Sequence, residues 1–255
     1  MMEQTTTKIS VVSKILDANE RVAAENRHRF AHANVLAINL ISSPGSGKTT
    51  LLETTIPKLM AKGLKVGVIA ADIATTADAE RIAAHGIRVI QITTDAFGGA
   101  CHLEAPTVRQ ALDQFELHGL DILFIENVGN LVCPAEFDIG EALRVVMLSI
   151  TEGEDKPLKY PLAFRVADCA LISKIDLAPH LRFSMEKLRN CITQVNPKLP
   201  QFEISSHSEA GYEPWLNWLV QMHECKSELL NHTHDEEGLG KGHTHSHGHS
   251  HGHSH

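Results

Sequence analysis

The chain of 255 residues has no excess of positive charge, no membrane-length apolar run and no even set of cysteines. Its net charge of -8 with histidine neutral excludes the cationic surface that phosphate backbones require, so no nucleic-acid partner is expected. No apolar run approaches the roughly 20 residues a membrane helix needs, so no membrane span is expected. Met1 to Ser10 is polar and carries no secretory core. Five cysteines, spread through a mid-sized chain, do not read as a disulfide framework. Free or metal-bound thiols in a reducing cytoplasm fit better.

Against these absences stands Ser42-Ser43-Pro44-Gly45-Ser46-Gly47-Lys48-Thr49-Thr50. An apolar run, Val35 to Ile41, precedes it, and a helical pattern beginning Leu51-Leu52 follows. Strand, glycine-rich turn and helix start form the setting of a nucleotide-phosphate loop. Gly45 and Gly47 let backbone N–H groups approach phosphate oxygens, and the helix N-terminus adds partial positive charge. Lys48 is placed for the β- and γ-phosphates and the Thr49 hydroxyl for magnesium. The usual first glycine is Ser42 here, which is tolerated if its φ is negative.

Hydrophobic content of 43% supplies a core over most of the length. Periodicity predicts an amphipathic helix from about Lys8 to His32, then the strand into the loop. The next helix should run from Thr49 towards Lys62, with Pro57 kinking or ending it. Lys65 to Ala71 reads as a buried strand that ends at Asp72. Ala77 to His85 reads as a helix, Val89 to Ile92 as a strand, and Pro106 to His118 as a helix stopped by Gly119. Ile122 to Ile125, Ala170 to Ser173 and Phe202 to Ser205 read as further strands. Alternating strands and helices imply an α/β fold with a mostly parallel sheet flanked by helices, and ligands at the strands' carboxyl ends. The reading divides the chain into an N-terminal helical segment (1–33), a nucleotide domain with a metal-binding insert (34–230) and a histidine-rich tail (231–255). The tail buries too little apolar surface to fold.

Asp72 and Glu126 end strands in order behind Lys48, placed to act on magnesium or the attacking water. Together with Lys48 they form the expected catalytic set. Gly129 can donate its N–H to the γ-phosphate and sense its loss. Ser173-Lys174-Ile175-Asp176 resembles the NKxD guanine signature, with Ser173 in place of asparagine. Asp176 accepts the two guanine N–H groups that adenine lacks, and the Lys174 stem covers the base. Ser206, in Ser205-Ser206-His207, follows the next strand where a base-contacting loop belongs. GTP is therefore favoured over ATP.

Cys101-His102, after Gly98-Gly99-Ala100, and Cys133 in Leu131-Val132-Cys133-Pro134 supply two thiols and an imidazole, ligands suited to zinc, nickel or copper. The plain alternative is two buried structural thiols. Three ligands leave a tetrahedral ion short by one, which two chains meeting at a two-fold axis would supply. Cys133 lies shortly beyond Glu126, so metal binding and nucleotide state share one segment. Cys169 and Cys191 read as core thiols, and Cys225 with His223 as a weaker ligand pair. In the tail His243, His245, His247, His249, His251, His253 and His255 alternate with spacers and can hold nickel or zinc; His232 and His234 extend the pattern.

The set Ser43–Thr49, Asp72–Glu80, Cys101-His102-Leu103 and Glu126-Asn127-Val128-Gly129-Asn130-Leu131-Val132-Cys133-Pro134 resembles the HypB family, GTPases that assist nickel insertion into [NiFe] hydrogenase. The resemblance spans about residues 10–225. It implies a P-loop NTPase of the SIMIBI-type G domain, acting as a GTP-dependent homodimer with nickel or zinc at the interface on Cys101, His102 and Cys133. It places phosphates on Gly45, Ser46, Gly47, Lys48, Thr49 and Thr50, magnesium on Thr49 near Asp72 and Glu126, and guanine on Lys174 and Asp176. It implies GTP and GDP as ligands, and a HypA-type chaperone, SlyD in some organisms and the hydrogenase large subunit as partners. This chain departs in lacking cysteine before Cys101, in a C-terminal rather than N-terminal histidine-rich stretch, and at Ser173. Two rivals are a urease-type nickel GTPase of the UreG kind, whose Cys-Pro-His motif is not seen, and a metal-storage protein with nucleotide-controlled assembly. A metabolite kinase on the same loop is the third. No arginine finger is apparent, so slow intrinsic turnover is expected.

Overall fold

The computed structural model describes residues 11–72, 77–93 and 101–235. Helix α1 (Val11–Ala33) leads into strand β1 (Leu36–Ser42), and α2 (Lys48–Ala61) follows the loop. Then come β2 (Val66–Asp72), α3 (Ala77–Ala83), β3 (Arg88–Thr93), α4 (Ala105–Leu112) and β4 (Ile122–Gly129). The chain continues through α5 (Cys133–Glu136), β5 (Leu143–Ser149), α6 (Lys156–Lys159), α7 (Pro161–Arg165) and β6 (Cys169–Ser173). It closes with α8 (Met185–Val195), β7 (Gln201–Glu203), α9 (Tyr212–Glu224) and α10 (Lys226–Asp235). The strands form one parallel seven-stranded sheet in the order β3-β2-β4-β1-β5-β6-β7.

Side chains alternate along each strand, so both faces of the central strands must be apolar and covered. On β1, Leu36, Ile38 and Leu40 point to one face, where they meet Leu52 and Ile56 of α2 and Trp215 of α9. Ala37 lies on the other face with Phe30 of α1 and Val108 of α4. Ile41 also faces that side, under Phe164 of α7 and Leu188 of α8. Each fully buried leucine or phenylalanine contributes about 2 kcal/mol, so the layers hold the strand ends in place. Trp215 stacks on Trp218 at 5.4 Å between ring centres and donates its indole N–H to Thr55 at 3.2 Å.

Several boundaries differ from the sequence expectation. Pro57 lies inside α2, which neither stops there nor ends before Ala61. Pro57 is exposed, so the hydrogen bond it forfeits falls on the solvent side of the helix. α4 stops at Leu112 rather than near His118, because Phe115 and Leu117 are both buried. Their spacing of two residues belongs to extended chain and cannot be met from one helical face. β4 carries Glu126 and Gly129 within the strand rather than after it. β5, α8 and α9 have no counterpart in the sequence reading. β5 is marked only by Val145 to Leu148 between Arg144 and Ser149. α10 continues past Asn231 to Asp235, so the chain does not leave regular structure where its composition changes. The tail histidines from His243 to His255 lie outside the described residues.

Candidate nucleotide and metal site

β1 ends at Ser42 and hands the chain to the loop at the sheet's carboxyl edge. Gly45 and Gly47 take left-handed backbone, with φ of 73° and 97°. Ser42 does not, so the odd first residue of the motif is accommodated as the negative-φ condition requires. Its buried hydroxyl accepts a hydrogen bond from Lys48 Nζ at 2.9 Å, which aims the lysine along the loop. The loop opens on a cleft of about 440 Å³ whose walls include Lys48, Thr49, Arg81, Glu126, Gly129 and Lys174. Thr49 Oγ1 donates to Glu126 Oε1 at 2.8 Å, so the hydroxyl and carboxylate expected at a magnesium ion face each other. Asp72 closes β2 beside Thr93 of β3 at the same edge, but its side chain lies outside the described residues, as do residues 73–76.

On the far side of the loop, Ser173 sits at the end of β6, and its hydroxyl donates to Ser46 O at 2.8 Å. Lys174 takes a left-handed backbone and donates from Nζ to Gly45 O at 2.7 Å. Asp176 Oδ1 accepts from Ser205 Oγ at 2.5 Å. Ser206, expected at the base, instead pairs with the Tyr212 hydroxyl at 2.7 Å, so its neighbour is the serine that meets Asp176. Ser46 Oγ lies 2.7 Å from Glu152 Oε1, and Glu152 closes a capping box with Ser149.

The metal set converges. The ligand atoms of Cys101, His102 and Cys133 all lie within 4.8 Å of one another. The two sulfurs are 3.1 Å apart, and His102 Nδ1 is 3.5 Å from Cys101 Sγ. His102 Nε2 is buried without a hydrogen-bond partner, and its ring packs on Phe137 at 4.1 Å. Burial pulls the His102 pKa down against Glu104 and Glu136, keeping the imidazole in its neutral, ligating form. The contact with Cys101 and burial push the Cys133 thiol up from its ordinary value. Residues 98–100 lie outside the described residues. Cys169 and Cys191 are buried in the core. His223 meets Asp121 at 3.2 Å and Lys226 at 2.9 Å, an arrangement that serves to dock α10 rather than to pair with Cys225.

Asparagines do the joining, and the sequence reading gave them no role. Asn127 Oδ1 accepts from the N–H of Leu103 at 3.1 Å, binding β4 to the Cys101-His102 segment. Asn130 Nδ2 donates to Cys101 O at 3.2 Å while its Oδ1 accepts from Val132 N. Asn19 of α1 donates to Asp138 O and accepts from Ala105 N; Asn26 donates to Ala105 O at 2.9 Å and Ile139 O at 3.1 Å. α1 thus braces the segments next to both Cys101-His102 and Cys133. Two buried asparagines in the apolar stripe of Ala23 and Phe30 were the available signal. Arg81 of α3, which pairs with Glu53 of α2 at 2.5 Å, was also not singled out.

A parallel sheet carrying a phosphate loop between β1 and α2, with an acid on the adjacent strand end, defines a P-loop nucleotide-hydrolysing protein. Residues 36–203 match the CobW/HypB/UreG nucleotide-binding domain. The hydrogenase maturation factor HypB of Escherichia coli (strain K12) is 49% identical over 211 residues, 83% of this chain and 71% of that protein. The chain belongs to the HypB family of hydrogenase maturation factors. A solved structure of HypB from Helicobacter pylori in complex with nickel superposes with a TM-score of 0.77 at 38% identity, covering 82% of this chain and 97% of that one. HypB from Archaeoglobus fulgidus gives 0.75 at 38% identity, covering 82% of this chain and all of that one.

Proposed function

We propose that this protein hydrolyses GTP to control the carriage of nickel for [NiFe] hydrogenase maturation. One observation carries the reading. A single segment, β4 and the turn after it, touches both sites: Glu126 meets Thr49 of the loop, and Cys133 meets Cys101. Gly129 lies between them, pressed on the loop so closely that a Cβ there would sit 2.9 Å from Pro44 Cα. A change at the γ-phosphate therefore has a short, stiff path to the thiols.

Lys48 neutralises phosphate charge, and the loop amides orient the transferred group. Thr49 and Glu126, with Asp72, are the residues that would hold magnesium, which supplies charge neutralisation on the phosphates when bound. Asp176 selects guanine by accepting its N–H groups, and Lys174 flanks it. Cys101, His102 and Cys133 hold the nickel cargo, or zinc in its place, through borderline-soft ligands. Three ligands from one chain leave room for a second chain, which supports a homodimer, formed with GTP, carrying the ion at its interface. A HypA-type chaperone and the hydrogenase large subunit are the fitting donor and recipient, and the cytoplasm the fitting compartment. Nickel bound to the homologous Helicobacter pylori protein supports the cargo assignment.

The test is the double variant Cys101→Ala/Cys133→Ala in the full chain. Basal GTP turnover should persist while its response to added nickel disappears. An unchanged nickel response would end the coupling proposal.

A further inference from the structure

The opposite edge of the sheet carries a second set of imidazoles. His28 and His32 stand one turn apart near the end of α1, so they share a helix face with Cβ atoms about 5–6 Å apart. His118 approaches from the loop between α4 and β4. The His32 and His118 ring centres are 6.0 Å apart at an interplanar angle of 76°. All three histidines are exposed and line one cavity of about 310 Å³, together with Glu116.

The frame around them is built. Phe115 and Leu117 are buried on either side of Glu116, which pins the loop to the core. Glu116 Oε1 accepts the backbone N–H of His118 at 3.0 Å. Arg29, the cation between the two helix histidines, is drawn aside: it donates to Asp113 at 2.6 Å and to Leu112 O at 2.8 Å. These bonds lock α1 to the end of α4, so His118 faces a fixed helix.

We propose that His28, His32 and His118 form a second site for a divalent transition ion, distinct from the cysteine site. Three imidazoles suit nickel, zinc or copper and disfavour magnesium or calcium. With metal–nitrogen bonds of about 2.0–2.1 Å, two imidazoles on one ion have ring centres roughly 5–6 Å apart, the spacing already present between His32 and His118. Among the described residues only Cys101, His102 and Cys133 already hold their ligand atoms within 4.8 Å of one another, so the three imidazoles must rotate to converge on an ion, and Glu116 lines the same cavity as a further oxygen ligand. His32 lies just before β1 and His118 just before β4, so the site is on the amino edge of the sheet. The length of β1 separates it from the phosphate loop by roughly 20 Å.

Residue-resolved histidine modification tests this in the full chain. The protein is titrated with zinc or nickel beyond the capacity of the tail, treated with diethyl pyrocarbonate, and read by peptide mass spectrometry. His28, His32 and His118 should be slowed together by roughly five-fold or more, while exposed His85, His180 and His207 keep their rates. In H118Q the protection of His28 and His32 should be largely lost, with basal GTP turnover and circular dichroism unchanged. Modification of the three at the same rate with and without metal would overturn the site. So would protection of His28 and His32 that survives H118Q, which would reduce it to a helix pair.

Discussion

Ser173 stands where the guanine signature has asparagine, and its buried hydroxyl reaches the carbonyl of Ser46 in the phosphate loop. The serine ties the end of β6, proposed to meet the base, to the phosphate loop. Ser173→Ala should leave that carbonyl unpartnered by a side chain, at about 1–2 kcal/mol. We expect a lower urea midpoint and roughly three- to ten-fold weaker guanine-nucleotide binding by fluorescent-analogue titration. Unchanged values in both would make the bridge dispensable. Ser42 follows a similar logic. A strict glycine pattern excludes it, yet its hydroxyl holds Lys48. The motif was legible because its mechanics survive in Gly45, Gly47 and Lys48. The partner of Ser173 was not, because Ser46 lies 127 residues away in the chain.

At the scale of elements, α1 is the brace that sequence periodicity could locate but not explain. It packs on the segment after α5 through Arg27 and Asp138, and through Gly140, where a Cβ would lie 2.5 Å from Ala23 O. Gly140 also has φ of 90°. Gly140→Ala should therefore cost roughly 2 kcal/mol or more by chemical denaturation. Because α1 positions Ala105 and Ile139, the variant should also weaken nickel binding at the cysteine site. Asp138 gives this brace an acid limit. Burial raises its pKa, but Arg27 and the Gly140 N–H outweigh that, and the net shift is downward. A carboxyl lowered in the folded state adds stability above its unfolded pKa of about 4, lost as pH falls through the folded value. The urea midpoint should fall more steeply below about pH 4 in the native protein than in Asp138→Asn, and equal slopes would exclude the pair from acid unfolding. Pro57 shows the converse limit of local reading: a helix breaker is absorbed when its face meets solvent and Leu52, Ile56 and Leu59 hold the other side.

For the whole molecule, two ligands sharing one segment must influence each other equally. If a GTP analogue changes nickel affinity by some factor, nickel must change the analogue's affinity by the same factor, expected at about 5- to 150-fold. Paired titrations, with the tail histidines saturated in both arms, measure the two factors; a one-sided effect would mean that the sites do not share a two-state element. Among the described residues no helix is long and apolar enough to cross a membrane, in keeping with the lack of long apolar runs. The α/β class was readable because parallel strands buried on both faces are mostly apolar, and the runs Leu36–Ile38 of β1 and Ile122–Ile125 of β4 leave that mark in order. The phosphate loop and the Cys101-His102 and Cys133 motifs were readable because their chemistry depends on neighbours in the chain. Strand order, the meeting of Cys101 with Cys133, and the asparagine links from Asn19, Asn26, Asn127 and Asn130 were decided only by the tertiary structure. Each is a contact between residues far apart in sequence, held by a sheet that packing, not spacing, assembles.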